Sequence, residues 1–565
     1  MRRIFSEQKG LDMHGPPEKR KPFAAKNRGA SKSPTRRPEL SRILNLVEED
    51  IHAKRYTEAQ ERLKEVGKTY SIAPSSPQAY RYHYLRGLTF FWQGNDLSAW
   101  EETDQALRIF NRVHRLPLLP EPENLPNFVA KNLKQLRAIE VALLEGLESH
   151  NLGDDGQKRE GLERRIFEIS ASLENLNPLA KLHQLAGSIL RHLGKLTEAL
   201  EHLEWAATGF RLSRDWSSLA ETLNRISPVH LSRGELQTAI QILEQARNCC
   251  LKTKDRYFEL ILRSNLALYQ LLAGNWRPAF SSLPEILAET KKADDLPHYT
   301  TTLLLWGYAN LLRGRLKESR RAFIEAQRIS EEKKLIGVLK YCHGYLSDLC
   351  MAEERLDEAE VHLKKMLEIS QQVTPRGESV AEAWQKLGEL HLTRKEYSQA
   401  LKAFQVCRDH LLKQPERLVE GALWRGMGIG HIGLEQLRPA QNDFKRAIDI
   451  FESCGNEWEL AKTAVLAAES GAFAPAEIQS KIIRAKEIFK KLEHATWRKR
   501  AQTVLEHFEF SGADTPLRLA HQLVEKEQIA KALADAGGNI SLAAKKLGLL
   551  RQTLQYKIKR YKLAV

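Results

Sequence analysis

The sequence predicts an all-α chain, a long α-solenoid followed by a small three-helix domain, and three observations carry that prediction. Gly194, Gly234, Gly274 and Gly314 recur every 40 residues, which is the mark of a stacked structural repeat. Charged residues make up 28% of the chain, spaced as on amphipathic helices, and strand signals are scarce. The stretch 516–565 breaks into three short helical segments separated by turns that contain glycine. At 565 residues the chain is too long for one ordinary core, so an array plus a separate domain fits its length.

Residues 1–38 come first, with Pro16, Pro17, Pro22, Pro34 and Pro38 set among basic residues and few apolar ones; a disordered basic tail is expected. The repeat array follows over 39–508. In it each glycine precedes a small residue by five positions, Ala199, Ala239, Ala279 and Ser319, and Ala359, Ala400 and Ala440 keep that place where Glu354, Lys395 and Glu435 replace the glycine. Gly94 with Ala99, and Ala59, extend the frame upstream. A glycine just past a helix supplies a left-handed cap, and the small residue lets a second helix approach the first. The stretch 111–180 fits the frame poorly; irregular helix pairs are expected at 127–149 and 156–174, around the turn Gly153-Asp154-Asp155-Gly156. A linker is expected at 509–515, with Thr515 as N-cap and Pro516 as first helical residue.

Net charge places the chemistry. Residues 1–38 carry +8 and 517–565 carry +7, whereas 39–516 hold 66 basic and 66 acidic residues. Only the two ends resemble polyanion binders. The tail is read mainly as solvated disorder, with weak DNA attraction or partner docking as its other role. Six cysteines without a C-x-x-C pair suit a reducing compartment, and no secretory or membrane-spanning segment is read, so a cytoplasmic chain is expected. Cys342, His343 and Cys350 lack metal-site spacing, and Gly67-Lys68-Thr69 lacks the glycine-rich turn of a phosphate loop. No cofactor, metal or catalytic constellation is expected, and the chain is read as not an enzyme.

The array residues Trp384, Leu387, Gly388, Ala400 and Phe404, and Trp424, Gly428, Ala440, Phe444 and Ala447, fall on facing stripes. In these the chain resembles the tetratricopeptide repeat, with a period near 40 in place of 34. His391 and His431 stand where an aromatic is usual. The resemblance implies a surface that binds a protein or peptide partner.

In the terminal segment a support helix through Leu519, Leu523, Ile529 and Leu533 ends at Gly537-Gly538; Asn539 caps a short helix that stops at Gly548, and a third begins near Arg551. This is the layout of a helix-turn-helix. Turning Leu554, Ile558 and Tyr561 inward leaves Gln552, Gln555, Tyr556 and Lys559 outward, with Arg551 at the leading end. Arginine pairs with guanine and glutamine with adenine, and flanking cations, Arg560 among them, hold phosphates. The segment from Glu525 and Ile529 through Gly538-Asn539, Ala543-Ala544, Leu547-Gly548, Thr553-Leu554 and Lys557–Tyr561 resembles the Fis-type helix-turn-helix of bacterial regulators. That resemblance implies phosphate contacts for Asn539, Ser541 and Thr553, base approach for Arg551, and groove contacts for Gln555, Lys557 and Lys559. It also implies a homodimer on a near-palindromic site of double-stranded DNA. Leu550 stands where the family places a polar cap, a loss of about 1 kcal/mol. The family's ATPase module has no counterpart in the sequence. The expected function is a nucleoid-associated, sequence-specific transcription regulator; the alternative is an interaction scaffold whose Fis-like end only dimerises.

Overall fold

A computed structural model of the chain describes residues 37–73, 76–113, 176–373, 378–413, 415–512, 516–561 and 563. Among these there are twenty-four helices and no strand. Four precede residue 114: α1 Arg37–His52, α2 Tyr56–Thr69, α3 Pro77–Trp92 and α4 Asp96–Val113. From 176 the array is regular: α5 Leu176–His192, α6 Leu196–Leu212, α7 Trp216–Ser232, α8 Leu236–Thr253, α9 Arg256–Leu272, α10 Trp276–Lys292, α11 Leu296–Leu312, α12 Leu316–Glu332 and α13 Ile336–Ala352. It continues with α14 Leu356–Val373, α15 Glu378–Thr393, α16 Tyr397–Leu411, α17 Arg417–Gly433, α18 Leu437–Ser453, α19 Glu457–Glu469, α20 Pro475–Lys491 and α21 Ala495–Gly512. The terminal domain is α22 Pro516–Ala534, α23 Ile540–Leu547 and α24 Arg551–Tyr561. No helix among the described residues is long and apolar enough to cross a membrane.

The glycines of the 40-residue frame sit in the left-handed region, at φ +78° for Gly194, +85° for Gly234, +77° for Gly274 and +71° for Gly314. Gly194 donates its N–H to the Arg191 carbonyl at 3.1 Å and Lys195 donates to Leu190 at 3.0 Å, the paired bonds of a Schellman C-cap. Glu354, Lys395 and Glu435 take the same conformation at φ 60°, 62° and 60°. A second set, unmarked by glycine, lies midway between: Arg214, Lys254, Asp294 and Lys334, with φ from 53° to 57°. Lys334 and Leu335 repeat the two capping bonds, to Glu331 and Ser330. Both turns of each unit are therefore built alike, and the extra hydrogen bonds offset the roughly 1–2 kcal/mol that a side chain costs in this conformation.

Cores form where a helical glycine faces a phenylalanine. A Cβ on Gly307 would lie 2.4 Å from the Phe323 ring, and Phe404 lies under both Gly388 and Gly426, at 2.4 and 2.2 Å. Phe323, Phe404 and Phe444 are wholly buried; Trp384 and Trp424 are half-buried at the margin. The six cysteines are buried and free. His343 shares a hydrogen bond with His362 at 2.9 Å.

The chain divides into two compact units, 1–229 with 241–262, and 230–240 with 263–565. In the first, Leu44, Val47, Ile51, Leu63, Val66 and Leu85 make the core of α1–α3, and His183 stacks on Trp205 at 4.4 Å. In the second, the helix pairs wind tightly enough for distant turns to meet: Ser232 donates to Glu416 at 2.6 Å across 184 residues, Trp276 lies against Trp458 at 5.6 Å, and Arg313 pairs with Glu493.

Helix α1 starts at Arg37, two residues before the expected array; the rest of the expected basic tail lies outside the described residues. So do the helix pairs expected at 127–149 and 156–174. Helix α21 runs through Gly512, into the linker expected at 509–515, and Val504, Leu505 and Phe508 are among its buried apolar residues.

Candidate nucleic-acid interface

The terminal domain is held by a compact apolar set. Ile529, Ala532 and Leu533 of α22, Ala543 and Ala544 of α23, and Leu554 and Ile558 of α24 form its core, with Leu547, Leu549 and Tyr561 packed against it. Spacing of three and four residues puts each set on one helix face. The α22–α23 turn uses Gly537 and Gly538 at φ 57° and 81°. Lys546 ties α23 back to it through the Asp535 carbonyl at 3.1 Å. Asn539 caps α23, its side chain accepting from the amides of Ser541 at 3.1 Å and Leu542 at 3.2 Å. Gly548, at φ 66°, ends α23, and after two intervening residues α24 begins at Arg551. Leu550 stands before it with no side-chain oxygen to offer; its carbonyl accepts from Leu554 at 3.0 Å.

The outward face of α24 follows the helical turn. Arg551, Tyr556 and Lys559 are exposed; Gln552, Thr553 and Gln555 are half-buried. Ser541 and Asn539 are exposed at the start of α23, and Lys545 and Lys546 are exposed in its last turn. Arg560 lies on α24, its side chain outside the described ones. Residues 539–562 contain seven basic residues and no acidic one, so the positive field of this face is not cancelled from within.

Two candidate residues are engaged elsewhere. Lys557 pairs with Glu525 of α22 at 2.5 Å, and Tyr561 donates to the other oxygen of that carboxylate. The pair fastens α24 to the support helix. Gln552 is held by the array: its amide oxygen accepts from the Leu437 N–H at 3.2 Å and its amide nitrogen donates to the Glu435 carbonyl. Neither engagement was visible in the sequence. Glu525 in the support helix and Lys557 in the third are opposite in charge, but residue type does not say which faces meet; the second engagement leaves no trace at all, because its partner is backbone.

The array carries a charged stripe that sequence reasoning also missed. Lys386 of α15 bonds Asp348 of α13 at 2.6 and 2.7 Å. Arg425 of α17 bonds Glu389 of α15 at 2.9 Å and also Glu459 of α19. Burial pushes the Glu459 carboxyl up, but Arg425 and Lys462 outweigh it and hold it down at about 2. Burial likewise works against the Lys386 cation, yet Asp348 and Glu382 raise its pKa above the ordinary lysine value. Opposite charges one repeat apart were the available signal. Each of these charges answers a neighbour, so the stripe joins repeat to repeat.

Residues 522–561 match the family model described as bacterial regulatory protein, Fis family, and residues 343–413 match that of the tetratricopeptide repeat. No curated protein matches the chain in sequence. Among solved structures the chain is similar to yeast Tom70, at 13% identity over 85% of this chain and 98% of that one, with a TM-score of 0.34. It is similar to a Rap protein complexed with competence and sporulation factor, at 10% identity over 83% and 99%, TM-score 0.39. It is similar as well to the Cut9–Hcn1 hetero-tetramer of APC/C, at 14% identity over 83% and 85%, TM-score 0.38. The chain thus joins a tetratricopeptide-type helical array to a C-terminal helix-turn-helix of the Fis family.

Proposed function

We propose that this protein is a sequence-specific DNA-binding transcription regulator, whose terminal domain reads double-stranded DNA and whose array binds a protein or peptide partner. One observation carries the reading: a third helix, braced by two others, presents Arg551 in solvent at its leading end, on a segment without an acidic residue. Side chains at the start of such a helix reach base edges, and surrounding cations hold the backbone. Asn539, Ser541 and Thr553 are the phosphate contacts of this reading, and Arg551, Gln552 and Gln555 its base readers, with Lys559 and Arg560 along the groove wall. Lys557 supports the helix through Glu525. Two copies on a near-palindromic site, in a bacterial cytoplasm at the nucleoid, complete the proposal, and it assigns the chain no catalytic step.

Selection of bound fragments from random duplex DNA by the full-length protein tests it. A shared sequence should be enriched, and Arg551→Ala should weaken binding to it by about 1–3 kcal/mol while relaxing preference at one position. No binding to any duplex at low salt overturns the regulator and leaves a scaffold whose end only dimerises.

A further inference from the structure

The contact of Gln552 with the array has a chemistry of its own. In the major groove adenine offers one acceptor, N7, beside one donor, the N6 amino group, and a glutamine amide meets both at once. The turn between α17 and α18 offers Gln552 the same pair. The Glu435 carbonyl accepts from its Nε2, and the Leu437 N–H donates to its Oε1 at 3.2 Å. Glu435 holds the left-handed conformation, φ 60°, that ends α17, and Leu437 is the first residue of α18. An amide at that place has no partner within its own helix, and Gln436, the N-cap, supplies no side-chain hydrogen bond. Gln552 satisfies it. Arg551 stays exposed beside this contact.

We propose that the 435–437 turn is an intramolecular decoy for a base edge: it occupies the Gln552 amide with backbone groups that imitate adenine, so that docking on the array and base reading by this residue exclude one another. The inference rests on the DNA-reading function proposed above. Docking takes the base-reading amide and leaves the cationic side chains in solvent, so it suppresses sequence preference more than general attraction to DNA. A partner that covers or distorts the turn would free the amide, which gives the array a direct route to the DNA-reading helix.

Two measurements on the full-length chain test it. Without DNA, the Leu437 amide should be protected from hydrogen exchange in the wild type and should exchange about fivefold faster in Gln552→Ala, a loss worth one ordinary hydrogen bond. Equal exchange in the two overturns the docking, whatever the protein does with DNA. Next, Leu437→Pro deletes the N–H at a first helical position, where proline is accommodated; Leu437→Ala keeps the N–H and controls for the lost side chain. Affinity for a short duplex recovered from the random pool should rise about fivefold in the proline variant and not in the alanine variant, with affinity for unselected duplex unchanged. Protection at Leu437 without that rise makes the contact structural and overturns the decoy. Protection together with no binding of any duplex by any variant is the failure of the DNA-reading function, and the decoy role falls with it.

Discussion

The stripe across α13, α15, α17 and α19 and the outer face of α24 are both rich in charge, yet they treat it in opposite ways. On the stripe Arg425 is nearly out of solvent, with 4% of its side chain exposed, and two glutamates share it. On α24 Arg551 and Lys559 face water, and no ion pair of the described residues includes either. A buried charge must be answered or it costs several kcal/mol, whereas a solvated one costs little and keeps its field. Fixed pairing therefore marks a place where the chain joins itself, and unanswered cations mark a place ready to meet something else. Lys557, on the same helix as Arg551, shows that the distinction runs residue by residue.

The sharpest way to break this comparison is Arg425→Ala. Glu389 and Glu459 then lose their shared partner, and urea unfolding of the full chain should show a loss of about 3–5 kcal/mol, with DNA affinity at the terminal domain unchanged. A loss near zero would mean the stripe is as solvated as α24. Acid titration sharpens the comparison next. Glu459 is held at about 2, below the ordinary glutamate value of 4.5. Its contribution is complete above pH 4.5 and is lost as pH falls from there toward 2. Glu389 is shifted the same way: burial pushes its pKa up, and Lys462 and Arg425 outweigh it. Glu459→Gln should make stability fall less steeply through that range, as followed by urea unfolding at stepped pH, whereas Lys559→Ala should leave the curve where it was. The smallest effect belongs to the terminal domain: Lys559→Ala should reduce the slope of log affinity against log salt by about 1, with no change in array stability.

How far the sequence revealed these features follows from how each is encoded. The turns at Gly194, Gly234, Gly274 and Gly314 were legible because a left-handed cap favours one residue type, and the helix-turn-helix was legible because its core spacing, its Asn539 cap and its stop at Gly548 all depend on side-chain identity. The alternate turns at Arg214, Lys254, Asp294 and Lys334 were not: they adopt the same backbone with residues that carry no such preference, held by capping bonds made between main-chain groups. The same reason hid the partner of Gln552, since a carbonyl and an amide are present at every position. Arg551 and Lys559 lie exposed on α24 as the helical spacing placed them, but the commitment of Lys557 to Glu525 required knowing which face of α22 meets α24.

The meeting of Ser232 with Glu416, of Trp276 with Trp458 and of Arg313 with Glu493 has one more consequence. A stack whose members touch only their immediate neighbours can fray from either tip and be shortened one repeat at a time. Here the opening coils of the second unit lean on its closing coils, so deleting repeats from one margin strips support from the other. The second unit should come apart as a single cooperative body, and any partner that loosens one coil will be felt a full winding away.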